Sequence, residues 1–186
     1  LYNAGFPVFV FDLSSHGQSD SRDEGLTLDS GVDDIRSAAG YLLKKGIKRI
    51  YFIGHSISGF LGVNLQVRDK LFSKMVLVAP ALYNYISAYK TQRHFSGRIR
   101  KKGKHLEVKG LRIPKSSLRE LKKHRPQKIV KNITCPVLFV QGTDDELMSQ
   151  AALRKAYRNA GGAKEISFIP KADHEFTKLE HRRQLY

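Results

Sequence analysis

The run Ile50-Tyr51-Phe52-Ile53-Gly54-His55-Ser56-Ile57-Ser58-Gly59-Phe60 decides the fold. It reads as a buried strand, a turn of small residues around one serine, and the opening of a helix. A serine on such a turn projects its hydroxyl clear of the backbone, and the N–H of the next residue, Ile57, is placed to meet a developing oxyanion. Gly54 and the pair Ser58-Gly59 are small because strand and helix approach closely there. The strict pattern has glycine two places after the serine; Ser58 stands there instead. The competing reading is a glycine-rich phosphate cradle. It loses weight because no Lys follows the glycines and no G-x-G-x-x-G run is present.

Working outward, two later segments carry the groups such a serine needs. A hydroxyl nucleophile is weak without a base, and the base needs an orienting carboxylate. The apolar strand 136–141 ends in Gly142-Thr143-Asp144-Asp145-Glu146, which puts carboxylates just past a strand's C-terminal end. The short strand 166–169 leads into Pro170-Lys171-Ala172-Asp173-His174, with a helix expected from Glu175. The chain order is thus Ser, Asp, His. Asp144, Asp145 and Glu146 compete for the acid, and Asp144 could instead cap the helix that starts nearby. Among the other histidines, His16 reads as a structural loop residue and His55 as a side chain packed beside the serine. His94, His105, His124 and His181 read as solvated surface.

These segments resemble the α/β-hydrolase family, in its serine lipase, esterase, monoacylglycerol-lipase-like and serine-aminopeptidase-like group. Phe6 to Asp12 and His16-Gly17-Gln18-Ser19-Asp20 resemble that family's fourth strand and the loop after it. Gly54 to Gly59 resembles the nucleophile elbow, Gly142 to Asp145 the acid turn, and Ala172-Asp173-His174 the histidine loop. The resemblance implies Ser56 as nucleophile, Asp145 as acid (three residues after the glycine), His174 as base and Ile57 as oxyanion donor. It implies a serine hydrolase of small-molecule acyl esters working through an acyl-enzyme. A thioesterase or an acyltransferase would use the same groups. A serine nucleophile argues against the dehalogenases and epoxide hydrolases of this fold, which use Asp. The reading from another class is a non-catalytic protein on a hydrolase scaffold.

Alternating patterns give an α/β fold with a mostly parallel sheet covered on both faces. Strands are expected at 7–12, 48–53, 74–79, 136–141 and 166–169, and helices at 28–45, 57–67 and 149–159. The expected organisation is hydrolase core over 1–81, a basic lid insert over 82–131, and the second part of the core over 132–186. By resemblance, three strands and most of a helix precede Leu1. One of those strands lies between 7–12 and 47–53, and the loop after it supplies a second oxyanion donor. The chain is therefore expected to be an N-terminally truncated fragment with one vacant sheet position.

The insert carries the charge. From Ala88 to Lys131 there are 16 Lys or Arg and two acids, Glu107 and Glu120, so this stretch holds +14 of the chain's net +16. One reading is a solvated lid face with Leu106, Val108, Leu111, Ile113, Leu118 and Leu121 packed inward. A second is a partner surface for an anionic membrane or an acidic substrate. A third is nucleic acid. Tyr83, Tyr85, Tyr89 and Phe95 fit an apolar pocket wall above Ser56 better than base stacking, which argues against the third.

A chain of 186 residues with 41% hydrophobic content suits one core. No apolar run reaches the roughly 18 residues of a membrane span, and no signal peptide pattern is visible. The single cysteine, Cys135, is expected to be buried and excludes an internal disulfide. It points to a reducing, cytoplasmic setting. No Cys/His cluster has zinc spacing, so no metal and no cofactor are expected.

Overall fold

The computed structural model describes residues 1–20, 25–82, 99–108, 111–115 and 126–185. Its strands are β1 Ile50–His55, β2 Phe72–Val78, β3 Ile99–Lys102, β4 His105–Val108, β5 Leu111–Pro114, β6 Val137–Gly142 and β7 Lys164–Ile169. Its α-helices are α1 Leu28–Lys44, α2 Ile57–Asp69, α3 Pro126–Ile129, α4 Gln150–Asn159 and α5 Leu179–Arg183. Among the described residues no helix is long and apolar enough to cross a membrane.

The main sheet is parallel throughout, in the order β1-β2-β6-β7. Parallel neighbours need crossovers, and α2 and α4 supply them between β1 and β2 and between β6 and β7. The register runs level across the sheet: His55 pairs with Val78, Val78 with Val140, and Val140 with Ser167. The C-terminal ends of β1, β6 and β7 therefore share one rim of the sheet, the rim where α/β proteins build their sites.

Helix α1 begins where the sequence provides a reciprocal cap. The Ser30 amide donates to Thr27 Oγ1 at 3.0 Å, and the Thr27 amide donates to Ser30 Oγ at 2.9 Å. Its apolar side, Leu28, Val32, Ile35 and Ala39, is buried in the same core as Phe60, Leu61, Val63 and Leu65 of α2. That core continues through Met75, Leu77, Val137 and Phe139 of the sheet to Leu153 and Ala156 of α4. Helix α2 is buried from Gly59 to Gln66. Gln66 earns its buried position by pairing with both backbone groups of Phe72, at 2.7 and 3.2 Å, which fixes the turn into β2.

Three expectations fail on tertiary grounds. The stretch 7–12 forms no strand. Val8, Val10 and Phe11 are exposed, and no ladder partner lies beside them among the described residues. An extended segment becomes a strand only when another backbone satisfies its N–H and C=O groups. The open side of β1 shows the same pattern, with Tyr51 and Ile53 each half exposed. No helix opens at Glu175 either: the next helix is α5, four residues later. Asp173 captures the Thr177 amide and hydroxyl at 2.8 and 2.6 Å, and Phe176 sits at φ 49°, so the chain turns instead. His181 is buried rather than solvated. Arg182 next to it donates to the carbonyls of Phe176 and Thr177, which folds α5 back onto the loop and carries His181 inside.

Of the basic segment, β3, β4 and β5 form an antiparallel three-stranded sheet. Its register aligns Ile99, Val108 and Leu111 in one row and Lys101, Leu106 and Ile113 two rows on. The alternate rows are Arg100, Glu107, Arg112 and Lys102, His105, Pro114. The expectations for Tyr83, Tyr85, Tyr89, His94, Phe95, Leu118, Glu120, Leu121 and His124 lie outside the described residues.

Candidate active site

Ser56 joins β1 to α2 at φ 54°, ψ −118°, a conformation rare for a residue with a side chain. Holding it costs on the order of 1–3 kcal/mol, which the surroundings must over-determine. They do so from both sides. The Ser56 amide donates to Val78 O at 2.9 Å, and its carbonyl accepts from Ala81 N at 2.9 Å. Space enforces the small residues nearby. A Cβ on Gly54 would lie 2.8 Å from the Cα of Gly59, and one on Gly59 would lie 3.0 Å from Cβ of Pro80. Ser58, standing where the strict pattern has glycine, staples the turn. Its hydroxyl donates to His55 O at 2.7 Å and accepts the His55 amide at 3.1 Å.

The three carboxylates past β6 have separate fates. The Asp145 side chain is fully buried, and its Oδ1 accepts the amides of Leu147 and Met148 at 2.9 and 2.8 Å. Asp144 is exposed, with Oδ1 accepting from the Thr143 hydroxyl at 3.1 Å. Glu146 reaches across to accept the His174 amide at 3.3 Å. The acid loop and the histidine loop are clasped as well, by Thr143 N to Ile169 O and Asp144 N to Ala172 O, both at 3.0 Å. Gly142 is required at this crossing, because a Cβ there would overlap the Ala172 carbonyl.

His174 is 2% exposed. Its Nδ1 lies 3.0 Å from Asp145 Oδ2, and its Nε2 lies 3.0 Å from Ser56 Oγ. A carboxylate only accepts, so Nδ1 carries the proton. Nε2 is then a lone-pair acceptor and the Ser56 hydroxyl donates to it. This hydroxyl–imidazole–carboxylate line has the geometry in which a base withdraws a proton from a nucleophile. Ile57 opens α2, so its N–H is among the first-turn donors a helix leaves without an internal acceptor.

The structure thus brings Ser56, Ile57, Asp145 and His174 to one place, and selects Asp145 over Asp144 and Glu146 as the partner of His174. Sequence reasoning missed two tethers. Glu146 holds the His174 amide, and His55 Nε2 donates to the His174 carbonyl at 2.8 Å. No spacing rule announces a hydrogen bond between residues 119 positions apart. A cavity of about 10 Å³ lies between Pro80, Leu82, Gln141 and Met148. It has room for one water and not for a substrate. Among the described residues no group of three His, Cys, Asp or Glu is placed to hold a metal ion.

Comparison with known proteins agrees with this architecture. The model of the alpha/beta hydrolase family matches residues 1–114. The fold is similar to Est1E from Butyrivibrio proteoclasticus, solved with ferulic acid bound, at TM-score 0.76 and 20% identity over 93% of this chain and 70% of that one. A monoacylglycerol lipase from Paleococcus ferrophilus matches at TM-score 0.72 and 21% identity, over 98% of this chain and 83% of that one. Mouse alpha/beta hydrolase domain-containing protein 10 matches at 0.68 and 18%, over 94% and 72%. No curated protein matches the sequence.

Proposed function

Since the chain belongs to the alpha/beta hydrolase family, we propose that it is a serine hydrolase of carboxylic (acyl) esters. The observation that carries this reading is the unbroken line from Ser56 Oγ through the His174 ring to Asp145, with 3.0 Å at each step. In the proposed reaction His174 Nε2 takes the Ser56 proton as Oγ attacks the acyl carbonyl. The Ile57 N–H stabilises the oxyanion. His174 then passes the proton to the departing alcohol, leaving an acyl-Ser56 ester. Water, deprotonated by the same Nε2, attacks that ester, and His174 returns the proton to Ser56 Oγ as the acyl–Oγ bond breaks and the acid leaves. Asp145 holds the tautomer and stabilises the imidazolium throughout. Fluorophosphonate labelling that disappears in Ser56→Ala tests the reading.

The separate fates of the carboxylates give a sharper test. Asp145→Asn places an amide where a charge and a pure acceptor stood, which favours the wrong His174 tautomer. Ester turnover is expected to fall by about 10⁴-fold. Asp144→Asn, outside the line, is expected to stay within about threefold. Equal losses in the two variants would remove Asp145 from its role.

For the basic segment we propose an anionic lipid surface as partner. The support is the charge carried there, 16 Lys or Arg against two acids from Ala88 to Lys131, with Arg100, Lys102 and Arg112 lying in the paired strands. The paired strands contain no Tyr, Phe or Trp on which nucleic acid bases would stack. Each cation near an anionic leaflet contributes roughly 1 kcal/mol. Co-sedimentation with phosphatidylserine-containing vesicles is expected, with release as salt rises and severalfold weakening in Arg100→Glu/Arg112→Glu. Equal binding to neutral vesicles, or tighter retention on single-stranded RNA, would overturn it.

A further inference from the structure

We infer that His55 is a positioning residue: its imidazole fixes the backbone of His174, and through it the distance between the base and Ser56. The inference rests on the serine hydrolase reading. His55 is the last residue of β1 and directly precedes Ser56. Its Nε2 lies 2.8 Å from the His174 carbonyl oxygen. A carbonyl only accepts, so Nε2 carries the proton and donates. Burial pushes the His55 imidazole below its ordinary pKa, while the bond to the His174 carbonyl works the other way. The ring therefore serves as a neutral donor rather than a second cation beside the imidazolium that forms on His174.

The contact is part of a two-sided grip. Glu146 accepts the His174 amide at 3.3 Å and His55 donates to its carbonyl, so side chains from two other segments hold both backbone polar groups of one residue. The His55 ring also packs against the His174 ring, with centroids 4.9 Å apart at 43°, and meets the Phe176 ring edge-on at 6.3 Å. Ring contact, hydrogen bond and chain connectivity converge. The strand that delivers the nucleophile also anchors the base, and the 3.0 Å gap between Ser56 Oγ and His174 Nε2 is spanned from a single residue. A misplacement of the base by about 1 Å costs on the order of 10²-fold in rate, so this tether acts on catalysis without touching substrate.

Three variants of the full protein separate donor from packing. His55→Phe keeps a ring and loses the donor. His55→Asn keeps a polar group too short to reach the carbonyl. His55→Gln can place an N–H there. We expect the Phe and Asn variants to react with a fluorophosphonate at least tenfold more slowly, with kcat reduced and KM within about twofold, while the melting temperature changes little. The Gln variant is expected to recover most of the loss. The downfield proton signal of His174 Nδ1–H should broaden in Phe and Asn and persist in Gln. Labelling of Phe and Asn at the parent's rate, or Gln as slow as Asn, overturns the inference and leaves the hydrolase reading intact. A folded parent that does not label at Ser56 overturns the hydrolase reading, and this inference with it.

Discussion

Ser56→Ala is expected to abolish covalent labelling by a fluorophosphonate and to reduce ester turnover to the level of the uncatalysed background plus whatever the oxyanion donor and binding supply. The reagent reports a hydroxyl that is both exposed to it and partly deprotonated by a neighbour. In this chain only the Ser56 hydroxyl is placed 3.0 Å from a histidine nitrogen whose ring is pinned by a buried carboxylate, among the described residues. The side chain contributes little packing, and the turn is set by backbone bonds to Val78 and Ala81 that alanine retains. The variant should therefore fold like the parent, and circular dichroism with the melting temperature checks that. Labelling that persists in a folded Ser56→Ala protein would move the nucleophile elsewhere.

His174→Ala is the second large effect. It removes the group that joins Ser56 to Asp145, so in the proposed reaction nucleophilic attack, leaving-group protonation and activation of water all lose their proton carrier. A fall of about 10⁴-fold or more in turnover is expected, because residues acting as one unit fail together. Combining it with Ser56→Ala should cost little beyond either change alone. That near-absence of additivity is the more telling measurement. A mild loss in His174→Ala, or a double variant whose losses multiply, would show that the two residues do not act on the same step. The loss should also exceed that of the tether variants at His55, since those displace the base and this one deletes it.

Much of the fold was legible because its signals are local. A run of four apolar residues before Gly54, small residues at 58 and 59, and the helical spacing of Val32, Ile35 and Ala39 each depend on neighbours within one or two turns. Helices α1, α2 and α4 appear where those signals put them, and β1, β2, β6 and β7 appear within about two residues. The order of serine, acid and histidine along the chain was likewise readable, because strand ends in a parallel sheet share a rim.

What failed or stayed open needed distant partners. Residues 7–12 have the composition of a strand, yet strand formation requires a ladder that composition cannot supply. His181 sits in a charged sequence and is nevertheless buried, because Arg182 folds α5 onto carbonyls five and six residues back. Asp144 and Asp145 are adjacent and chemically identical. The amides of Leu147 and Met148, the ring of His174 and burial of the Asp145 side chain distinguish them.

By itself, then, the sequence determined an α/β chain with a strand–serine–helix turn, an acid-rich turn and a histidine loop at three strand ends, because these follow from short-range periodicity and backbone sterics. The tertiary structure alone decided which carboxylate meets His174, that Glu146 and His55 hold its backbone, and that Ser58 staples the turn. Those contacts join groups up to 119 positions apart within about 3 Å, a precision that packing of the whole sheet imposes and no local pattern encodes.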